Sequence, residues 1–101
     1  MVVISQKIIN EFANKYPLSA YPLNRWYKET INADWKDHND IKQVFNTTDA
    51  IGNDRYVFNI GGNKYRLVAL IHFTKRTLYI RFIGTHAQYD EICKTGAINT
   101  I

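Results

Sequence analysis

Apolar residues in the first half of the chain recur every three or four positions, which is the spacing of one face of a helix. Residues 5–16 and 22–31 both follow this pattern, which predicts two helices packed as an antiparallel pair. Ser5 is the expected N-cap of the first helix, and Pro17 is expected to end it. Residues 37–45 predict a shorter third helix.

In the second half of the chain the period changes to two, and β-branched and aromatic residues dominate. A polar turn over residues 46–49 is expected to separate the two halves. Gly61 and Gly62 can supply the positive φ angles of a tight hairpin turn. Thr85 is the expected N-cap of a last short helix, which Gly96 would end. The predicted strands comprise residues 1–4, 55–60, 64–73 and 77–83.

The three later strands predict an antiparallel meander whose side chains alternate between two faces. If both hairpin loops have an even number of residues, positions opposite each other share a face. The face expected to pack against the helices then comprises Tyr56, Phe58, Ile60, Tyr65, Leu67, Ala69, Ile71, Leu78, Ile80 and Phe82. The opposite face comprises Lys64, Arg66, His72, Tyr79 and Arg81, with Val57, Val68, Leu70 and Ile83 between them. The expected fold is therefore α+β, with the N-terminal helices on one face of a mainly antiparallel sheet.

The length of 101 residues predicts a single domain, residues 1–101, and a hydrophobic content of 46% is enough for a packed core. No apolar run approaches the roughly 20 residues of a membrane span, and residues 1–4 lack the pattern of a signal peptide. We therefore expect a soluble, cytoplasmic protein. Cys93 is the only cysteine, so neither an internal disulfide nor a thiolate-rich zinc site is expected.

Positive charge is concentrated in the second half of the chain. Residues 1–54 carry six basic and seven acidic groups, whereas residues 55–101 carry seven basic and two acidic groups. A basic surface attracts polyanions and is typical of nucleic-acid binding, although solubility alone also accounts for a few surplus lysines.

The basic face of the predicted sheet has two explanations. Charged residues normally mark the solvated side of a one-sided antiparallel sheet. Cations without interleaved carboxylates repel one another, however, so Arg66 and Arg81 on neighbouring strands favour an anionic ligand. A one-residue slip in either hairpin would separate the two arginines.

The titratable residues do not form a known metal or nucleophile motif. His38, His72 and His86 lack metal-ligand spacing, and neither a phosphate-binding glycine loop nor a serine elbow occurs, so no metal or cofactor is predicted. Basic and aromatic side chains can instead support cleavage of RNA by its own 2′-OH. That reaction needs a proton acceptor, cations for the phosphorane and an acid for the leaving oxygen. An aromatic side chain such as Tyr79 can stack on an unpaired base.

Two segments carry a family resemblance: residues 56–68 have the sequence YVFNIGGNKYRLV, and residues 79–90 have the sequence YIRFIGTHAQYD. The GGNxxR turn and the THxxYD ending closely resemble the HigB toxin family over about the last half of the chain. The resemblance implies a RelE-like fold and cleavage of mRNA, typically in the ribosomal A site. It also implies neutralisation by a HigA-type helix-turn-helix antitoxin, with DNA reached only through that antitoxin and no membrane partner.

The resemblance further implies roles for individual residues. Arg66 and Arg81 match arginines on the family's central strands and are assigned to phosphate binding and transition-state stabilisation. His86 is assigned to proton transfer, with first-turn packing beside Thr85 as the structural alternative. Tyr89 is assigned to base stacking or proton donation, although packing at the sheet edge would also account for it.

Three other polar residues complete the predicted site. Lys64 and Tyr79 join the two arginines as RNA-binding residues, and Asp90 either orients a basic partner or favours the helix N-terminus.

Two other functions remain open. A non-catalytic RNA- or ribosome-binding module would block translation without chemistry, and an interaction module would bind an acidic protein segment.

Overall fold

The computed structural model describes all residues, 1–101, as four α-helices and a five-stranded sheet, which confirms the predicted α+β fold. The strands are β1 (Val2–Ile4), β2 (Asp49–Gly52), β3 (Arg55–Ile60), β4 (Tyr65–His72) and β5 (Thr77–Thr85). The helices are α1 (Gln6–Lys15), α2 (Ala20–Ile31), α3 (His38–Val44) and α4 (His86–Thr95), and a short 3-10 helix, Pro17–Ser19, joins α1 to α2. None of these helices has the length and apolar character that crossing a membrane requires.

The strands lie in the order β1-β5-β4-β3-β2, with β1 parallel to β5 and every other pair antiparallel. Ile60 pairs with Tyr65 and His72 pairs with Thr77, so each hairpin loop has four residues. Both loops therefore have an even number of residues, which is the condition for opposite positions to share a face.

The ends of α4 follow the sequence signals closely. The Thr85 hydroxyl accepts a hydrogen bond from the Gln88 backbone N–H, and the Gln88 side chain accepts one from the Thr85 N–H. This capping box satisfies two N–H groups that the helix itself leaves free. Gly96 ends the helix with a φ of 75°, in the left-handed region that glycine adopts without strain. Both predicted helix boundaries are confirmed.

The hydrophobic core lies between one face of the sheet and α1, α2 and α3. Leu23 and Trp26 of α2 and Ile41 of α3 are buried against the apolar face of the sheet. Phe58 at the centre of that face contacts Trp26 at 5.4 Å between ring centroids, in an edge-to-face arrangement. These helices therefore hold the sheet in place and leave its other face for the rest of the chain.

The polar turn predicted for residues 46–49 is wrong at its end, because Asp49 begins β2. Only Ile51 of this strand is even partly buried. The strand therefore shows little alternation of its own and is defined by pairing with β3, which sequence periodicity cannot detect.

A β-bulge in β5 contradicts part of the predicted facial assignment. Val68 pairs with Phe82 while Ala69 pairs with Ile80, so Arg81 is the extra residue. Beyond the bulge, each residue of β5 points to the face opposite to the one that simple alternation predicts. Ile83 therefore packs against the core, and Phe82 lies on the opposite face with Val68, the reverse of the prediction.

The second face of the sheet is also covered, by α4 and the residues after it. Val57 and Val68 on this face are buried. Residues beyond α4 reach the far edge of the sheet, where the Asn99 amide donates to the Ile51 carbonyl at 3.2 Å and the Arg55 guanidinium donates to the Ile101 oxygen at 2.8 Å. The predicted open basic face is thus a partly enclosed surface.

Candidate functional site

Arg66 lies on the second face near the start of β4, opposite Gly84 on β5 and Asn59 on β3. It is 9% exposed, and its guanidinium donates one hydrogen bond within the protein, to the Tyr65 carbonyl at 3.1 Å. No carboxylate lies within ion-pair distance of it, since the ion pairs of the structure all involve other residues. A guanidinium has five N–H donors, so most of its donors remain free to bind an anion.

Tyr89 of α4 lies over this arginine, with the Arg66 guanidinium carbon 6.0 Å from the centre of the ring. This distance is at the outer limit of a cation–π contact. The two predicted site residues come from separate segments of the sequence and are brought together by the packing of α4 on the sheet.

Burial raises the pKa of Tyr89 to about 12, and the neighbouring Cys93 side chain and the negative charge of Asp49 add to this shift. The positive charge of Arg66 acts in the opposite direction and is the smaller effect. The Tyr89 phenol therefore keeps its proton across the physiological pH range. It can donate a hydrogen bond or a proton but cannot act as a base there.

His86, the first residue of α4, is held by a carboxylate. Its Nδ1 lies 2.8 Å from Oδ2 of Asp90, one helical turn later, and both side chains are half exposed. If Nδ1 donates to Asp90, the exposed Nε2 is left as the proton acceptor of a neutral imidazole. The structure thus gives Asp90 a contact that fits its predicted orienting role.

The start of α4 is attached to the loop between β3 and β4. The His86 N–H donates to the Lys64 carbonyl at 3.1 Å, which places Lys64 next to His86. Lys64 itself lies in the hairpin loop and not in β4, so its exposed side chain belongs to the end of the sheet where α4 begins.

Two of the predicted residues lie farther from this cluster. Arg81 is the exposed residue of the bulge, three positions before Gly84, or on the order of 10 Å along the strand. Tyr79 pairs with Leu70 near the other end of β4 and packs edge to face with His72, at 5.9 Å between ring centroids. The structure therefore brings together Arg66, His86, Tyr89 and Lys64, with Arg81 and Tyr79 extending the surface along β5.

Sequence reasoning missed Phe82 as part of this surface. A Cβ atom added to Gly84 would overlap the ring of Phe82 and the side-chain amide of Gln88, so the ring leans over the glycine that faces Arg66. Only the bulge brings Phe82 to this face, and no sequence signal marks the bulge. Asn59 could have been found, because hairpin parity alone places it opposite Arg66.

The surface as a whole combines a free guanidinium, an imidazole held by a carboxylate, a protonated phenol and an aromatic ring. It contains a cation for an anionic phosphate, a group that can accept a proton and a group that can donate one. No group of three or more His, Cys, Asp or Glu side chains in the chain is placed to hold a metal ion.

Comparison with known proteins gives the family. A family model described as HigB_toxin, RelE-like toxic component of a toxin-antitoxin system, matches residues 19–92. A protein named mRNA interferase toxin HigB from Escherichia coli K12 is 35% identical over 92 residues, which cover 89% of this chain and 88% of that protein. A protein named mRNA interferase HigB from Escherichia coli O6:H1 is 30% identical over 96 residues, which cover 93% of both chains. The chain therefore belongs to the HigB family, the RelE-like toxic component of a toxin-antitoxin system.

Proposed function

We propose that this protein is an endoribonuclease that cleaves mRNA by attack of the substrate's own 2′-OH on the adjacent phosphate. The observation that carries the proposal is Arg66, a guanidinium that is 9% exposed and has no carboxylate partner. A cation that is largely buried without a counter-ion is costly, and a phosphodiester would supply the missing charge and acceptors. The names of the relatives in Escherichia coli, which are mRNA interferases, agree with this substrate.

In the proposed mechanism His86 Nε2 takes the proton from the 2′-OH, whose oxygen then bonds to phosphorus. Arg66, assisted by Arg81 along β5, stabilises the additional negative charge of the phosphorane. The bond from phosphorus to the 5′-oxygen breaks, and Tyr89 gives that oxygen a proton. The products are a 2′,3′-cyclic phosphate and a 5′-hydroxyl. The raised pKa keeps Tyr89 protonated and so available as a donor, and no metal ion is needed in any step.

The proposed substrate is mRNA on the ribosome, in the cytoplasm. Lys64 within the cluster and Tyr79 farther along β5 would bind RNA, through a phosphate contact and a stacked base. As a toxic component of its system, the protein has an antitoxin as its counterpart. We propose a HigA-type helix-turn-helix protein in that role, which would connect the toxin to DNA only indirectly.

The test compares mRNA 5′ ends after induction of the wild type, Arg66→Met and His86→Ala. Arg76→Met is the matched control, since Arg76 is paired with Asp34 at 2.8 Å at the far end of the sheet. We expect new ends within translated frames for the wild type and the control, and none for the two site variants. Growth inhibition without new ends in the wild type would instead identify a non-catalytic binder.

Two further measurements with purified protein examine the finer parts of the proposal. Cleavage that persists in excess EDTA, and stops when the scissile nucleotide has a 2′-deoxyribose, is expected for attack by the 2′-OH. Cleavage of the same RNA with and without ribosomes decides the ribosome dependence. A 2′-deoxy substrate that is cut at the normal rate would contradict the mechanism.

A further inference from the structure

A cavity of about 350 Å³ lies between α2, the end of α3 and the hairpin turn after β3, outside the cluster around Arg66. Its wall combines two aromatic residues, Tyr21 and Trp26, with charged and polar ones, Arg25, Glu29, Asn46 and Asn59. The mix of rings, amides and charged groups differs from the purely apolar lining of a packing defect.

The backbone of Asn59 presents a free donor and acceptor at the edge of the sheet beside this cavity. The Asp54 carbonyl accepts from the Ile71 N–H at 3.0 Å, so in β3 the even-numbered residues bond to β4 and the odd-numbered ones point away from it. β2 occupies that side only as far as the pair of Asp49 with Val57. Asn59, two residues farther on, therefore has its N–H and C=O beyond the end of β2, where residues 46 and 47 turn away.

A second unsatisfied group belongs to Trp26, a residue that lines the cavity. Trp26 is 1% exposed, and its indole N–H has no hydrogen-bond partner. Buried N–H groups almost always have partners, so this one is exceptional.

The cavity adjoins the proposed phosphate site through Asn59. Asn59 and Arg66 are directly opposite each other on β3 and β4, and their side chains share a face of the sheet. Opposite residues of such a pair are about 5 Å apart at Cα. A chain bound at Arg66 would therefore reach the edge beside the cavity by crossing a single strand.

We propose that this cavity binds one unpaired RNA base next to the phosphate held by Arg66. The adjacent N–H and C=O of Asn59, with the side-chain amide of Asn46, can pair with the hydrogen-bonding edge of a base. The exposed ring of Tyr21 offers a stacking surface, and Arg25 can bind the flanking phosphate. The proposal rests on the proposed RNA substrate and adds a determinant of sequence preference to it.

A base fits these groups better than a peptide does. Addition of a peptide strand to a sheet edge uses main-chain bonds along several residues. Here Asn59 is the only outward-pointing residue of β3 beyond β2, because the chain enters the hairpin turn after Ile60. One donor and one acceptor match the edge of a base and are too few for a strand.

The first experiment measures binding without catalysis. The four nucleoside 5′-monophosphates are titrated into the ¹⁵N-labelled protein, and amide shifts are followed by NMR. We expect one base to move the amides of Thr47, Asn59 and Gly61 and the Trp26 indole N–H more than the others do. Arg25→Ala and Asn46→Ala should reduce these shifts at a given nucleotide concentration, whereas Asn10→Ala and Lys75→Ala, exposed substitutions remote from the cavity, should preserve them.

Nucleotide shifts confined to Arg66 and Tyr89 would overturn the proposal. Amide shifts at the cavity that occur with the purified antitoxin and with none of the nucleotides would overturn it as well. Neither result would affect cleavage at Arg66, so failure of the base subsite is distinguishable from failure of the proposed function. Conversely, base-selective amide shifts in a protein that cuts no RNA would support the base subsite and contradict the proposed endoribonuclease activity.

The second experiment measures base preference at the cut. Asn46→Ala should reduce the preference for the favoured flanking base by about three- to tenfold, the effect of losing one hydrogen bond. Cuts should still occur, because the groups around Arg66 are untouched. Asn10→Ala should keep the wild-type preference. An unchanged preference in Asn46→Ala and Arg25→Ala would overturn the subsite.

Discussion

Replacement of Arg66 by Met separates the contribution of this residue to activity from its contribution to stability. Methionine has a similar length and no charge, so it can occupy the space beside Tyr89 without a donor for a phosphate. If the guanidinium gives two charge-assisted hydrogen bonds to the phosphorane, worth about 1.5–3 kcal/mol each, their loss removes about 3–6 kcal/mol of transition-state stabilisation. That corresponds to a fall of about 10²–10⁴-fold in kcat/KM.

The same substitution should change the free energy of unfolding much less. It removes the charge-assisted bond to the Tyr65 carbonyl, worth about 1.5–3 kcal/mol, and the contact with Tyr89, worth about 0.5–1 kcal/mol. It also removes the cost of keeping a cation nearly buried without a counter-ion. We therefore expect Arg66→Met to unfold within about 8 °C of the wild type, since about 1 kcal/mol corresponds to about 4–8 °C in a domain of this size.

The assay measures cleavage rates on a fixed mRNA together with thermal unfolding by circular dichroism. Arg76→Met serves as the control, because it removes an exposed arginine that already has a carboxylate partner. Arg66→Met with cleavage within threefold of wild type would refute the assignment of Arg66. So would a loss of activity accompanied by unfolding at the assay temperature, provided that Arg66→Lys is folded and fully active.

Three further predictions concern the residues around Arg66. Gly84→Ala should lower the free energy of unfolding by about 1–3 kcal/mol in denaturant titrations, because the added Cβ overlaps the ring of Phe82. An unfolding midpoint equal to that of the wild type would show that the Phe82 ring moves aside at no cost. Asp90→Asn should reduce the cleavage rate by about tenfold and change stability little. The reduction should be smaller than that of His86→Ala, for which about 10²–10⁴-fold is expected. Wild-type activity of Asp90→Asn would exclude the orienting role of Asp90. In absorbance titrations at alkaline pH, one phenol should ionise near pH 12 and be missing in Tyr89→Phe. Because that pKa is raised on folding, its contribution to stability is complete below about pH 10 and is lost as the pH rises towards 12; a Tyr89→Phe titration identical to wild type would contradict the assignment.

The sequence predicted most of the fold because its elements have strong local signals. The helical spacing before Asn32, the paired glycines of the hairpin and the capping residues Thr85 and Gly96 all act over a few residues. β2 and the bulge at Arg81 were not predictable in this way. Both depend on which strand lies alongside, and pairing between distant segments leaves no periodic trace in one strand alone.

In the candidate site, too, the residues with a local sequence signal were predicted, and those placed by strand pairing were not. The side chains that the HigB resemblance named on β4 and α4 come together in space, as Arg66 and Tyr89 show. The faces of Phe82 and Ile83 were predicted the wrong way round, because a single extra residue in the strand reverses the face of every residue after it. The covering of the second face was missed as well, because a ten-residue helix without a buried residue carries little amphipathic signal.

That helix, α4, is attached to the rest of the molecule by few contacts. An isolated helix of this length is barely stable in water, so α4 depends on its capping box, the Lys64 bond and the contact with Arg66. Local opening of α4 should therefore cost less free energy than unfolding of the strands and the core. Detachment would carry His86, Tyr89 and Asp90 away from the arginine as one unit. If the proposed roles of these residues hold, a partner that kept α4 away from the sheet would stop cleavage without occupying the RNA-binding surface.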